Sequence, residues 1–290
     1  MFLKRYKIRS YEMGLYFRDR EFRGVLDAGT HWIPDLLGRV RVDVVSRRDP
    51  WLVHDKLDLI VQSGALRDRA VVLDLKDHQR GLVWIDGRFS HILLPGLYAY
   101  WAGQKDVRVE IVDARQVRFE HADLKVITRC RTAAVALDVC AVERHHVGVL
   151  FQDGAYVQTL APGLYAFWKG AADARVVEVD LREATADVSG QEIMTADKVT
   201  LRLNAVVTYR IADAHKAVSA ADDVRQTLYR EAQLALRAVI GGRELDAFLA
   251  DKDQVGREIE QALRGRAGEL GLEIASVGIR DVILPGEMKD

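Results

Sequence analysis

The chain has almost no cysteine, no surplus of either charge and no long apolar run. Two cysteines, Cys130 and Cys140, in 290 residues are too few for a disulfide framework or a zinc site. They fit a reducing compartment. Lys and Arg total 42 against 43 Asp and Glu, so the basic footprint of a general nucleic-acid binder is missing. No nucleic-acid partner is expected. No stretch reaches the roughly 18 apolar residues of a membrane-spanning helix. Thr132 to Val142, the most apolar candidate, is short and interrupted by Asp138. Met1-Phe2-Leu3 runs directly into Lys4, Arg5 and Lys7, which is not a signal peptide. A cytoplasmic chain is expected, peripheral at most to the cytoplasmic membrane. The motifs of common catalytic centres are also missing: no GxSxG, HExxH, Walker loop or GxGxxG occurs. Gly265, Gly268 and Gly271 do space as GxxGxxG, but within a predicted helix rather than after a strand, so no phosphate role follows.

What the chain does contain is an internal repeat of 67 residues. Gly14, Gly81 and Gly148 keep this step, as do Gly29, Gly96 and Gly163, and Arg48, Arg115 and Arg182. Leu93 to Trp101 (LLPGLYAYW) answers Leu160 to Trp168 (LAPGLYAFW). Each copy opens with an alternating strand ending at Ile8, Leu75 or Val142, and a second apolar run follows the glycine. Asp86-Gly87 and Asp153-Gly154 predict hairpin turns. Pro95-Gly96 and Pro162-Gly163 predict the next turn, proline fixing φ and glycine tolerating positive φ. The strands VRVDVVSRR, VRVEIVDAR and ARVVEVDLR close the half-unit, and one or two more strands are expected from the rest of each copy.

Only the third copy predicts helices. Asp222-Asp223 caps a helix with Val224, Leu228, Ala232 and Leu236 on one face, stopped at Gly241-Gly242. A second starts near Leu245 and carries Val255, Ile259 and Leu263 towards Gly271. The expected fold is α+β: three serial antiparallel β units, residues 1–72, 73–139 and 140–290, the last completed by two helices and a closing strand.

Candidate chemistry reads as structure. Cys130, Cys140, His145 and His146 lack zinc-ligand spacing. Cys140 falls where Tyr6 and Leu73 stand in the other copies, as a small strand residue. His54 and His121, with Asp55 and Asp123 nearby, share a repeat position that holds Val188 in the third copy, which favours a strand or turn role over a general base. Glu231, Glu244 and Glu258 are placed on helices facing solvent or partner chains. Lys4, Arg5, Lys7 and Arg9, interleaved with Phe2, Tyr6 and Ile8, read as a strand with one wet face; contact with an anionic membrane is the alternative. No catalytic residue, cofactor or metal is assigned, and the chain is not expected to be an enzyme.

Val142 to Pro285 resembles the SPFH (band 7) domain of stomatins, prohibitins and flotillins, and within it the bacterial slipins. The resemblance is carried by Gly148-Val149-Leu150-Phe151 with Pro162-Gly163-Leu164, by Val179 to Arg182, by Thr195 to Thr200 including Asp197, and by Ile279 to Pro285 including Asp281. Leu270 stands where the family often has tryptophan. The resemblance implies a non-enzymatic oligomeric scaffold that organises membrane microdomains or regulates a membrane protease. It implies self-association, an NfeD-type membrane protein or membrane protease as partner, and contact with the membrane lipid surface. The alternative is a soluble vault-like shell built from the serial β units. Because the family's long helix after the Leu-Pro motif is not in the sequence, residues 1–290 alone are expected to be a monomer or small oligomer, a rod of three β units.

Overall fold

The computed structural model describes residues 3–284, so Pro285 of the expected closing motif lies outside it. The chain is mixed and β-rich, with six α-helices among the described residues and several small antiparallel sheets. It divides into two compact units. The first holds residues 1–139 and 166–171, the second 140–165 and 172–290.

The first unit contains β1 (Leu3–Ile8), β2 (Glu12–Arg18), β3 (Glu21–Leu26), β4 (Gly29–Pro34), β5 (Val40–Ser46), β6 (Trp51–Leu52), α1 (Leu57–Gln62), β7 (Ala70–Leu75), β8 (Gln79–Ile85), β9 (Arg88–Leu93), β10 (Gly96–Trp101), β11 (Val107–Asp113), β12 (Arg118–Phe119) and α2 (Leu124–Arg129). The hairpins β2–β3 and β8–β9 turn tightly because their two central residues sit at positive φ: Asp19 and Arg20 at 54° and 67°, Asp86 and Gly87 at 51° and 73°. That geometry matches the strand twist. A bulge follows at Tyr16/Phe17 and at Val83/Trp84, and β5 and β11 return along the free edges of β2 and β8.

Of the apolar cores of this unit, two correspond residue by residue. Leu15, Phe17, Leu52, Ile60, Leu66, Ala99 and Trp101 cluster in one; Leu82, Trp84, Phe119, Ile127, Ala133, Ala166 and Trp168 cluster in the other. These seven residues of the second each lie 67 positions after the corresponding seven of the first. Each core is closed by a strand from the following stretch: β6 pairs with β10 through Leu52 and Ala99, and β12 pairs through Phe119 and Ala166. The segments expected as further strands are thus a two-residue strand and then a short helix. In α1 and α2 the apolar residues recur at helical spacing, and Ile60 and Ile127 are fully buried. Helices this short persist only because tertiary packing holds them.

The second unit contains β14 (His146–Gln152), β15 (Ala155–Leu160), β17 (Ala174–Asp180), β18 (Ala184–Met194), β19 (Thr200–Ile211), α3 (Ala214–Ser219), α4 (Val224–Gly241), α5 (Leu245–Ala250), α6 (Lys252–Glu269) and β20 (Leu272–Ile283). Two strands, β13 (Leu137–Val142) and β16 (Gly163–Trp168), carry the chain from one unit into the other. A small sheet has the order β15-β14-β17, with a turn at Asp153 (φ 50°) and Gly154 (φ 82°). Ala214 of α3 packs on Val149 and Val179 in this sheet. The larger sheet, β18-β19-β20, buries one face under α4 and α6: Leu201, Leu203, Ala205, Val207 and Tyr209 meet Leu228, Ala232, Leu236, Val255, Ile259 and Leu263. Four helices form here rather than two. Asp223 caps α4 by accepting the Gln226 N–H at 3.0 Å, and Asp213 caps α3 by accepting that of Lys216. The second expected helix is broken at Asp251, whose carboxylate takes the Gln254 N–H at 2.8 Å and starts α6 afresh.

Candidate functional site

The recurring glycines are places where side chains cross the sheet. A Cβ on Gly14 would stand 3.1 Å from Ile8 Cδ1 and from Leu26 Cβ; on Gly81, 3.3 Å from Leu75 Cδ1 and Leu93 Cβ; on Gly148, 3.0 Å from Val142 Cγ2 and 2.7 Å from Val176 Cγ1. The last apolar residue of the preceding strand therefore lies over each glycine. Gly29, Gly96 and Gly163 open β4, β10 and β16, and an aromatic ring two residues on folds back over each one. Tyr98 donates its hydroxyl to the Leu94 carbonyl at 2.9 Å, Tyr165 to that of Ala161 at 2.8 Å, and His31 Nε2 lies 2.8 Å from the Asp27 carbonyl. Gly29 and Gly96 have φ of 149° and 150°. Gly163 shows no φ in that range, so positive φ is not what the third position requires. Pro95 and Pro162 sit in the two-residue corners before β10 and β16.

Asp197 lies in the turn between β18 and β19 and ties that turn to a helix. Its carboxylate accepts the buried Thr195 hydroxyl at 2.5 Å and the Leu245 N–H at the start of α5 at 3.2 Å. The Thr195 hydrogen bond holds its carboxyl below the usual range. Asp281 lies on the wet face of β20, where Asn204 Nδ2 approaches it at 3.4 Å.

The residues weighed for chemistry stand apart. His54 Nε2 is 3.1 Å from Asp43 Oδ2, its Nδ1 accepts the Lys56 N–H, and its ring stacks on Phe17. His121 repeats this with the Asp123 N–H at 2.9 Å and Phe119 beneath. Both rings organise a turn, and Asp55 and Asp123 lie in the turns that follow them. His145 occupies a turn at φ 68°, and His146 Nε2 lies 3.8 Å from Asp180. Cys130 Sγ points to the Ser90 carbonyl; burial pushes the Cys140 thiol up. Among the described residues no three His, Cys, Asp or Glu side chains gather as a metal site would require. Glu244 is the cap residue before α5, not a helix residue, and Glu231 and Glu258 are paired rather than free. Glu258 meets Arg243 at 2.5 Å and Glu231 meets Arg266 at 3.2 Å. The Arg243 partner is fifteen positions away, with no local pattern to announce it.

A cleft of ≈ 1190 Å³ opens in the second unit, bordered by Phe151, Asp180, Arg182, Tyr209, Asp223 and Arg225. Sequence reasoning did not find it, because its walls come from β17, β19 and the start of α4. Two of its charges are engaged with one another, and a third with a hydroxyl. Asp180 meets Arg182 at 2.5 Å, and Arg225 Nε donates to the Tyr209 hydroxyl at 3.3 Å. No helix among the described residues is long and apolar enough to cross a membrane.

Comparison with known proteins bears on the second unit. An uncharacterized protein of Archaeoglobus fulgidus is 38% identical over 148 residues, covering 51% of this chain and 59% of that protein. A stomatin homolog of Pyrococcus horikoshii is 33% identical over 148 residues, covering 51% of this chain and 55% of its own length. Human stomatin-like protein 3 is 37% identical over 113 residues, 39% of each chain. The chain thus spans little more than half the length of the first curated relatives it matches. Residues 140–290 match the SPFH domain / Band 7 family over the α+β unit just described, and the chain belongs to that family.

Proposed function

We propose that the protein is a non-enzymatic, self-associating SPFH scaffold of the slipin type, peripheral at the cytoplasmic face of a membrane. It acts by organising membrane microdomains or by holding a membrane protease, with an NfeD-type membrane protein as the expected partner. The observation that carries this reading is the family match over residues 140–290, together with relatives named as stomatin homologues. The residues that matter in it are structural: the glycines at 14, 81, 148, 29, 96 and 163, Pro95, Pro162, Asp197, Asp281 and Pro285. The serial reading, with units 1–72, 73–139 and 140–290, is supported by the two cores offset by 67 residues. Those cores also favour a second reading, a vault-like shell in which β units are staves and no membrane is needed. Fractionation of the natural host separates the two. Recovery in the membrane fraction, released by carbonate, supports the scaffold; a closed particle in the soluble fraction under the electron microscope supports the shell.

A further inference from the structure

We propose that the loop between β4 and β5, with the outer face of β4, docks on an anionic bilayer surface, Leu36 and Leu37 entering the zone between headgroups and acyl chains. This deepens the membrane reading above and rests on it. Leu36 and Leu37 are 72% and 69% exposed at the loop tip, and Trp32 on β4 is 59% exposed. The fold does not require apolar residues there. The equivalent loop positions 67 and 134 residues on are Gly103-Gln104 and Gly170-Ala171. At the position of Trp32 the other copies have Ala99 and Ala166, 1% and 0% exposed beneath a short strand and helix. Among the described residues β4 pairs only with β1, and Trp32 stands exposed there.

The loop is held with its leucines outward. Asp35 turns inward, accepting the Arg39 N–H at 2.8 Å and the Lys4 ammonium at 2.6 Å. Pairing of Arg5 with Trp32 and of Lys7 with Thr30 places both cations on the face of Trp32, and the Arg5 guanidinium lies 5.8 Å from its ring. Residues 1–41 carry nine Lys and Arg against five Asp and Glu, in a chain of net charge −1. Aliphatic side chains at a tip, a tryptophan behind them and cations around them suit an anionic interface.

Vesicle flotation of the 290-residue protein tests this, with phosphatidylcholine alone and with added phosphatidylserine. Leu36→Gln/Leu37→Gln is the main variant, Arg5→Gln/Lys7→Gln the charge variant and Leu234→Gln a control at an exposed leucine elsewhere. The expected result is binding to phosphatidylserine vesicles, lowered about tenfold by the leucine pair, lowered by the charge pair and unchanged in the control. Wild-type-like flotation of the leucine variant overturns the loop assignment but leaves the membrane reading standing. No flotation of any form overturns both. Equal binding to neutral vesicles overturns the anionic requirement. If light scattering instead finds the leucine variant breaking an oligomer, with flotation unchanged, the patch is a contact between copies and the proposal is wrong.

Discussion

Glycine at position 148 has the least room of the three recurring strand glycines. A methyl group there meets Val176 at 2.7 Å and Val142 at 3.0 Å, whereas at Gly81 the nearest atom is 3.2 Å away. Gly148→Ala is therefore expected to cost about 1–3 kcal/mol and Gly81→Ala less, since overpacking must be relieved by neighbouring side chains. Urea unfolding of the two variants gives the order. Asp197→Ala removes the acceptor for Thr195 and Leu245 and is expected to cost about 1 kcal/mol, the usual loss at a helix cap. Asp113 titrates from a different cause: the Arg115 side chain and then its N–H hold the carboxyl at about 2, below the model-peptide 3.8. With the folded value depressed, its contribution to stability is complete above about pH 4 and is lost as pH falls towards 2. Carbon-13 titration of Asp113 in the native protein should give that midpoint, and Arg115→Gln should move it up. Gly81, Gly148 and Arg115 were legible in the sequence because the 67-residue step marked them, and Asp197 because it falls in the Thr195 to Thr200 stretch that carries the family resemblance. Their reasons were not: the contact over Gly148 involves Val176, and the Asp197 contact involves Leu245, both set by folding of distant segments.

At the scale of elements, legibility followed periodicity. The strands around the Asp-Gly turns and the face of α4 were readable because alternation and i, i+4 spacing are local. The short helices α1 and α2 were not, since six residues carry too little pattern and are stabilised by the cores they close. The break between α5 and α6 was hidden for another reason. Asp251 continues a plausible helix in sequence, and only its cap to Gln254 ends one and begins the next. Packing of α4 makes a sharp distinction two residues apart. Leu236 is fully buried among sheet and helix side chains, while Leu234 is 61% exposed. Leu236→Ala is expected to lose about 2–5 kcal/mol and Leu234→Ala to stay within about 0.5 kcal/mol. Thermal unfolding followed by circular dichroism compares them directly.

For the whole molecule, the family assignment rests on the second unit and the serial cores on the first. A 67-residue step runs through the sequence of both units, and two cores of the first unit each borrow a strand from the stretch that follows. A core closed in this way cannot be cut at the repeat boundary without exposing it, so a chain starting at Ala70 should lose Leu52, Ile60 and Leu66 from around Trp101 and become less stable. Candidate function was less legible than fold, because the proposed scaffold role needs no reacting atoms that would mark a site. Its working surfaces are exposed side chains, and only placement distinguishes Leu36 and Leu37 from ordinary loop residues. Self-association at a membrane is the central claim. Its most direct measurement is mass photometry of the protein recovered from membrane and soluble fractions of its natural host. We expect a many-copy assembly in the membrane fraction. A single-copy mass found only in the soluble fraction would contradict the scaffold assignment.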